Sequence, residues 1–151
     1  MSEGSVQIVR LAEALPDDIG DLRAEAAGEA YRFVESLLSE WQEGHYAAGD
    51  DRFAVFAAFR AGELAGIGAL TPDPYDPAPD LLRIRHVYVR PAHRGTGVGR
   101  VLATALIQQG LALAPRLSLR AADGRAARFW EAMGCFVASR SELRRSHLLE
   151  R

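Results

Sequence analysis

The 151-residue sequence predicts a single α/β domain, residues 1–151, built on a mixed sheet, and three features carry that expectation. Two strand-like runs, "RFAVFAAFR" from Arg52 and "LAGIGALT" from Leu64, are joined by Ala61, Gly62 and Glu63, a hairpin signal that sets two strands antiparallel. The strand-like "LRIRHVYV", a glycine-rich turn, a helical periodicity and the strand-like "RLSLRA" then form a βαβ unit, whose right-handed crossover makes its strands parallel. Finally, 48% hydrophobic content over this length fills one core, whereas two domains would each be too small.

The elements follow in order. "SVQIVRL", Ser5 to Leu11, alternates and is β-branched, as a first strand should be. "LPDD" starts a helix, with Pro16 and two aspartates at the positive end of its dipole. Apolar residues then recur through Leu22, Ala26, Phe33, Val34, Leu37 and Trp41, which predicts two helices or one helix broken at Gly28. After the hairpin, "PDPYDPAPD" holds four prolines in nine residues and is a stiff surface loop. Pro91 stops the strand at Leu82 to Val89, and Pro115 ends the helix from Val98 to Leu113. A last helix runs from Asp123 to about Met133, with Gly134 as its stop. Closing strands are expected near Cys135 to Ala138 and Ser146 to Leu149.

Composition excludes several classes of function. The opening "MSEGSVQIVR" lacks the pattern of a signal peptide and no apolar run reaches membrane-spanning length, so a cytoplasmic protein with no membrane partner is expected. Cys135 is the only cysteine and the four histidines are scattered, which leaves no thiolate metal site; no metal is expected. A net charge of -2 and a pI near 6.1 provide no basic field for nucleic acid. All eighteen positive charges are arginines, with no lysine or asparagine in the chain, a bias read as GC-rich coding.

The chemistry is concentrated in "VYVRPAHRGTGVGR". Gly95, Gly97 and Gly99 can adopt φ values closed to other residues, so consecutive N–H groups can form an anion nest at the start of a helix. A phosphate or pyrophosphate is the expected ligand. A P-loop would need a lysine, and the dinucleotide fingerprint needs G-x-G-x-x-G where this chain has "GTGVG". What remains is R-x-x-G-x-G, filled by Arg94, Gly97 and Gly99.

At this point the sequence resembles the GNAT family of acyl-CoA-dependent N-acyltransferases, most strongly from Leu82 to Phe136. "ADGRAARFWEAMGCF" is similar to the family's second signature, with Asp123 in place of its asparagine and Phe129–Trp130 as its aromatic pair. The whole "DPY…RHVYVRPAHRGTGVGR" pattern resembles small single-domain members. The resemblance implies a twisted mixed sheet of about six to seven strands with helices on both faces, splayed between the strands at 82–89 and 117–121. It implies acetyl-CoA as cosubstrate, with pantetheine along Val87 and Val89 and pyrophosphate on the turn of Arg94, Gly95, Thr96, Gly97, Val98 and Gly99. Arg100, Asp123, Arg128 and Trp130 complete the expected binding set, and Arg125 is a further basic residue nearby. Tyr31, Phe33, Glu35, Trp41 and Tyr75 lie where the family builds its acceptor pocket, although the helical spacing of Phe33 and Trp41 also suits core, and Glu35 and Glu40 also suit solvent.

Two departures leave acid and base unassigned. Trp130 stands where members often carry a proton-donating tyrosine, and Arg83 where some carry a base glutamate. Strand alternation puts Ile84, His86 and Tyr88 on one face and Arg83, Arg85, Val87 and Val89 on the other, so His86 and Tyr88 become the candidates for proton transfer. A plain sheet role for His86 stands beside that reading; His147 is an outside candidate, His93 is expected to be exposed and Cys135 to be core. The expected activity is acetylation of a small-molecule amine in a ternary complex. The alternatives are a silent acyl-CoA-binding module and a protein N-terminal or side-chain acetyltransferase. A homodimer is left open.

Overall fold

A computed structural model describes residues 5–47, 49–76, 78–139 and 146–151. Two readings touch residues outside that range, the opening Met1 to Gly4 and Pro77 of the proline-rich loop. Seven strands form one sheet in the order β1-β2-β3-β4-β5-β7-β6. They are β1 Val6–Leu11, β2 Ala54–Arg60, β3 Glu63–Pro72, β4 Leu81–Val89, β5 Arg116–Arg120, β6 Phe136–Ser139 and β7 Ser146–Glu150. Among the described residues only the β4–β5 pair is parallel, as a βαβ crossover requires. The hairpin loop is shorter than expected: Ala61 at φ 53° and Gly62 at φ 79° make a two-residue turn, and Arg60 pairs directly with Glu63.

Helices cover both faces. On one, α1 Ile19–Gly28 and α2 Phe33–Gln42 bury Leu22, Ala26, Val34 and Leu37 against Val55, Ile67 and Tyr88. On the other, α3 Val98–Leu113 buries Leu102 and Leu106, and α4 Gly124–Ala132 buries Trp130, against Leu70, Ile84 and Leu117. Each fully buried leucine contributes about 1.5–3 kcal/mol relative to exposure. With cover on both sides, β3 is buried through most of its length, which is why it reads "LAGIGAL" instead of alternating with polar residues.

Two irregularities of the sheet shape the site. The β4–β5 ladder runs only from Leu81–Arg116 to Ile84–Leu119, and beyond it the strands diverge. In β4, Tyr88 pairs with Ile67 and Arg85 with Ala69, so β4 carries one residue more than β3 across this span. The bulge sits at His86, whose φ is +60°, opposite Gly68. A Cβ at Gly68 would lie 2.7 Å from Leu106 Cδ1 and 3.2 Å from Val87 Cγ2, so the close approach of α3 to the bulge depends on glycine there.

Candidate active site

The glycine turn links β4 to α3 through a 3₁₀ turn at Pro91–His93. Its glycines have different reasons. Gly95 at φ 74° and Gly97 at φ 90° occupy the left-handed region, whereas Gly99 is helical and a Cβ there would make ordinary contacts at 3.6 Å from Val89 and 3.7 Å from Phe129. No hydrogen bond of ordinary length and angle runs from the amides of residues 95–100 to a protein acceptor among the described residues, and Gly97 caps α3 without a side chain. Gly95, Gly97, Gly99 and Arg100 border a cavity of about 450 Å³ between the diverging strands, with Arg125 at its edge and Val87, Val89, Phe129 and Trp130 along its wall.

Of the expected binding residues, the cavity wall collects Val87, Val89, Arg94, Gly95, Gly97, Gly99, Arg100, Asp123 and Trp130. Thr96, Val98 and Arg128 lie off it. The Thr96 hydroxyl turns back to the carbonyl of His93, and Val98 is fully buried in the core. Arg94 lines the cavity, but three of its five N–H donors are already engaged: Nε on the Val89 carbonyl at 3.1 Å, and one from each terminal nitrogen on Glu29 at 2.8 and 2.6 Å. It braces the end of α1 to the end of β4. Asp123 is similarly committed, one oxygen capping α4 through the Ala126 amide and the other accepting from Tyr31 at 3.2 Å. His93, expected to be exposed, is buried against the hairpin end, its Nε2 3.2 Å from Glu63.

The bulge overturns half of the expected β4 alternation. Ile84 joins Val87 and Val89 on the α3 face, while Arg85 joins His86 and Tyr88 on the face of α1 and α2. The two candidates therefore do share a face, but they border different cavities. Tyr88 lies on the wall described above and donates its phenolic proton to Glu29. Burial and that carboxylate both push its pKa up, so it is a weak acid there. Glu29 is held down to about 2 by hydrogen bonds from Arg94 and Tyr88.

His86 borders a second cavity of about 370 Å³. Its Nε2 lies 3.0 Å from Glu40 Oε1, which also accepts from Tyr46 at 2.7 Å, while Oε2 pairs with Arg85 at 2.9 Å. Burial opposes ionisation of Glu40, but the hydrogen bonds from His86 and Tyr46 and the neighbouring positive charges outweigh it and hold the carboxyl at about 2. Expected to be solvated, Glu40 is instead the centre of this cluster, which no local pattern in α2 announces. Glu35 stays half-exposed beside Arg23, and Trp41 stacks on Tyr46. His147 is buried, with Nε2 3.0 Å from Glu131, and Cys135 is core. Over the second cavity, Tyr75 lies on Arg83, whose Nη1 is 3.4 Å from the buried Asp73. The two cavities share Phe33, Val87, Ala122, Ala126 and Trp130 as a common wall. Among the described residues no cluster of His, Cys, Asp or Glu has a metal-binding arrangement, and no helix is long and apolar enough to cross a membrane.

A family model described as the acetyltransferase (GNAT) family matches residues 18–135. Among solved structures, a protein of Exiguobacterium sp. 255-15 assigned as an acetyltransferase superposes with a TM-score of 0.83 at 24% identity, over 97% of this chain and 93% of that one. An acetyltransferase from Streptococcus agalactiae 2603 gives 0.69 at 20% identity, over 95% of each chain. The yncA protein of Salmonella typhimurium, assigned as an acetyltransferase and solved with its cofactor acetyl-CoA, gives 0.67 at 16%, over 95% and 93%. No curated protein matches the chain.

Proposed function

The chain belongs to the acetyltransferase (GNAT) family, and from that membership we propose that it transfers the acetyl group of acetyl-CoA to the primary amine of a small molecule, by direct attack while both are bound. The observation that carries the reading is the pair of cavities meeting where β4 and β5 part, one bordered by free amides and the other by an imidazole–carboxylate pair. The donor set of the first cavity fits a CoA thioester. The amides of Gly95, Gly97, Gly99 and Arg100 and the positive end of α3 suit a pyrophosphate, with the Arg100 and Arg125 side chains adding charge. The β4 edge beyond Ile84 has no ladder partner on the β5 side, which leaves Val87 and Val89 available to a pantetheine arm. Phe129 and Trp130, packed edge to face at 5.1 Å, support its far end.

Acetyl-CoA supplies the activated carbonyl. His86, oriented by Glu40, takes the proton of the attacking amine. Tyr88 is a positioning residue that fixes Glu29 and, through it, Arg94 and the turn. A thiolate leaves without a dedicated acid, so Trp130 in place of a tyrosine is compatible with turnover. Calorimetry with CoA, followed by CoA release with a panel of amines, tests the reading. Binding with amine-dependent release is expected. No heat at high micromolar CoA overturns it, and binding without release from any amine favours an acyl-CoA-binding module.

A further inference from the structure

The second cavity has a charge pattern that a generic amine site does not need. Arg83, Arg85 and Arg120 all border it together with His86, and no carboxylate does among the described residues. The two carboxylates that serve these groups stand behind the wall. Asp73 holds Arg83 through one nitrogen while also accepting from Ser118 Oγ at 2.6 Å, and Glu40 holds Arg85 through one nitrogen while also engaging His86. Arg120 has no carboxylate partner among the described residues, and its side chain lies toward solvent at the end of β5. Three guanidinium groups thus face two carboxylates. Each guanidinium carries five N–H donors in a rigid fork, so most of those on Arg83 and Arg85 remain uncommitted by these pairs.

Resting on the acyltransferase reading above, we infer that the acceptor is an amine that carries its own oxyanion, a carboxylate or a phosphonate, bound by Arg83, Arg85 and Arg120 in the second cavity. The charge accounts for two needs at once. A cationic wall disfavours the ammonium form, so the acceptor arrives more readily as the neutral nucleophile. The same wall would repel a plain alkylamine or a polyamine unless an anionic group on the acceptor offsets it. Fork-shaped donors match carboxylate and phosphonate oxygens in pairs. The remainder of the wall, Phe33, Leu119 and Trp130, is apolar, and at about 370 Å³ the cavity has the size of a small organic molecule rather than a folded partner.

The test uses matched pairs at saturating acetyl-CoA: phenylalanine against phenethylamine, γ-aminobutyrate against butylamine, and 2-aminoethylphosphonate against ethylamine, with spermidine as a polycation. In at least one pair the anionic member should have the higher kcat/KM by roughly tenfold or more, the carboxylate and phosphonate arms distinguishing the two oxyanions. Arg120→Gln, at an exposed position, and Arg83→Gln should each shrink that ratio, while Arg52→Gln, which borders neither cavity and sits in an exposed pair with Asp50, should not. Melting curves check that the variants fold. The plain amines or spermidine performing as well as the members that carry an oxyanion overturn the inference and leave acetyl transfer standing. So does a preference that survives both Arg120→Gln and Arg83→Gln. Saturation-transfer NMR on the CoA-bound protein reads binding without turnover, and failure of every anionic amine to bind there also overturns it. Absence of CoA binding overturns the acyltransferase reading itself.

Discussion

Replacing Glu40 by glutamine removes one charge from a nearly closed cluster and keeps its shape. In the folded protein the carboxyl titrates at about 2 against an ordinary 4.5, and its side chain is only 15% exposed. A shift of that size corresponds to about 3 kcal/mol of stability at neutral pH. Because the folded pKa lies below the unfolded one, the gain is complete above pH 4.5 and disappears as the pH falls toward 2. The wild type should therefore exceed Glu40→Gln by up to about 3 kcal/mol at pH 7, and by roughly half as much at pH 3. Urea denaturation of both proteins at the two pH values measures the difference. The same substitution should lower turnover about 10²-fold, as His86→Ala should, because the imidazole loses the anion that orients it. Equal stability at pH 7, or a difference that does not shrink on acidification, would refute the cluster as described.

Gly97→Val places a β-branched residue at φ +90° with no protein atom within 4 Å of its Cβ, so the chain should fold at a cost of about 1–2 kcal/mol and yet show no heat with CoA. Gly99→Ala, helical and in ordinary contact, should leave denaturation midpoints unchanged or slightly raised. In the core, Gly110→Ala would set a Cβ 2.5 Å from Leu117 Cδ2 and 3.2 Å from Leu70 Cδ1, and chemical denaturation should show a loss of about 1–3 kcal/mol. Arg94→Ala, which frees Glu29, should weaken CoA and dephosphorylated pantetheine alike, whereas Arg100→Ala or Arg125→Ala should weaken CoA selectively. Calorimetry with both ligands separates these outcomes.

The fold was legible because it is written in local signals. Pro91 and Pro115 punctuate β4 and α3, Gly28 ends α1, and the residues around Gly62 close a hairpin. The turn from Gly95 to Gly99 was legible for the same reason: left-handed backbone demands glycine at fixed positions, and a helix start follows at once.

The surroundings of His86 and Tyr88 were not legible in the same way. A period of two along β4 assigns faces correctly only while the ladder is regular, and one extra residue at His86 moves Arg85 across to the face of His86 and Tyr88. No local pattern announces a bulge at a histidine, and the residue it faces, Gly68, lies across the sheet on β3. Glu40 and Arg94 tell the same story from opposite ends. Glu40 reads as a solvated helix residue until β4 brings His86 and Arg85 onto it, and Arg94, expected at the phosphate, also pairs with Glu29 at the end of α1. The sequence by itself determined where backbone must turn and which runs must be buried, because propensity and periodicity act between near neighbours. Only the tertiary structure decided which charges meet, because ion pairs such as Arg94–Glu29 join residues far apart in the chain, and their partners are set by how helices and sheet pack.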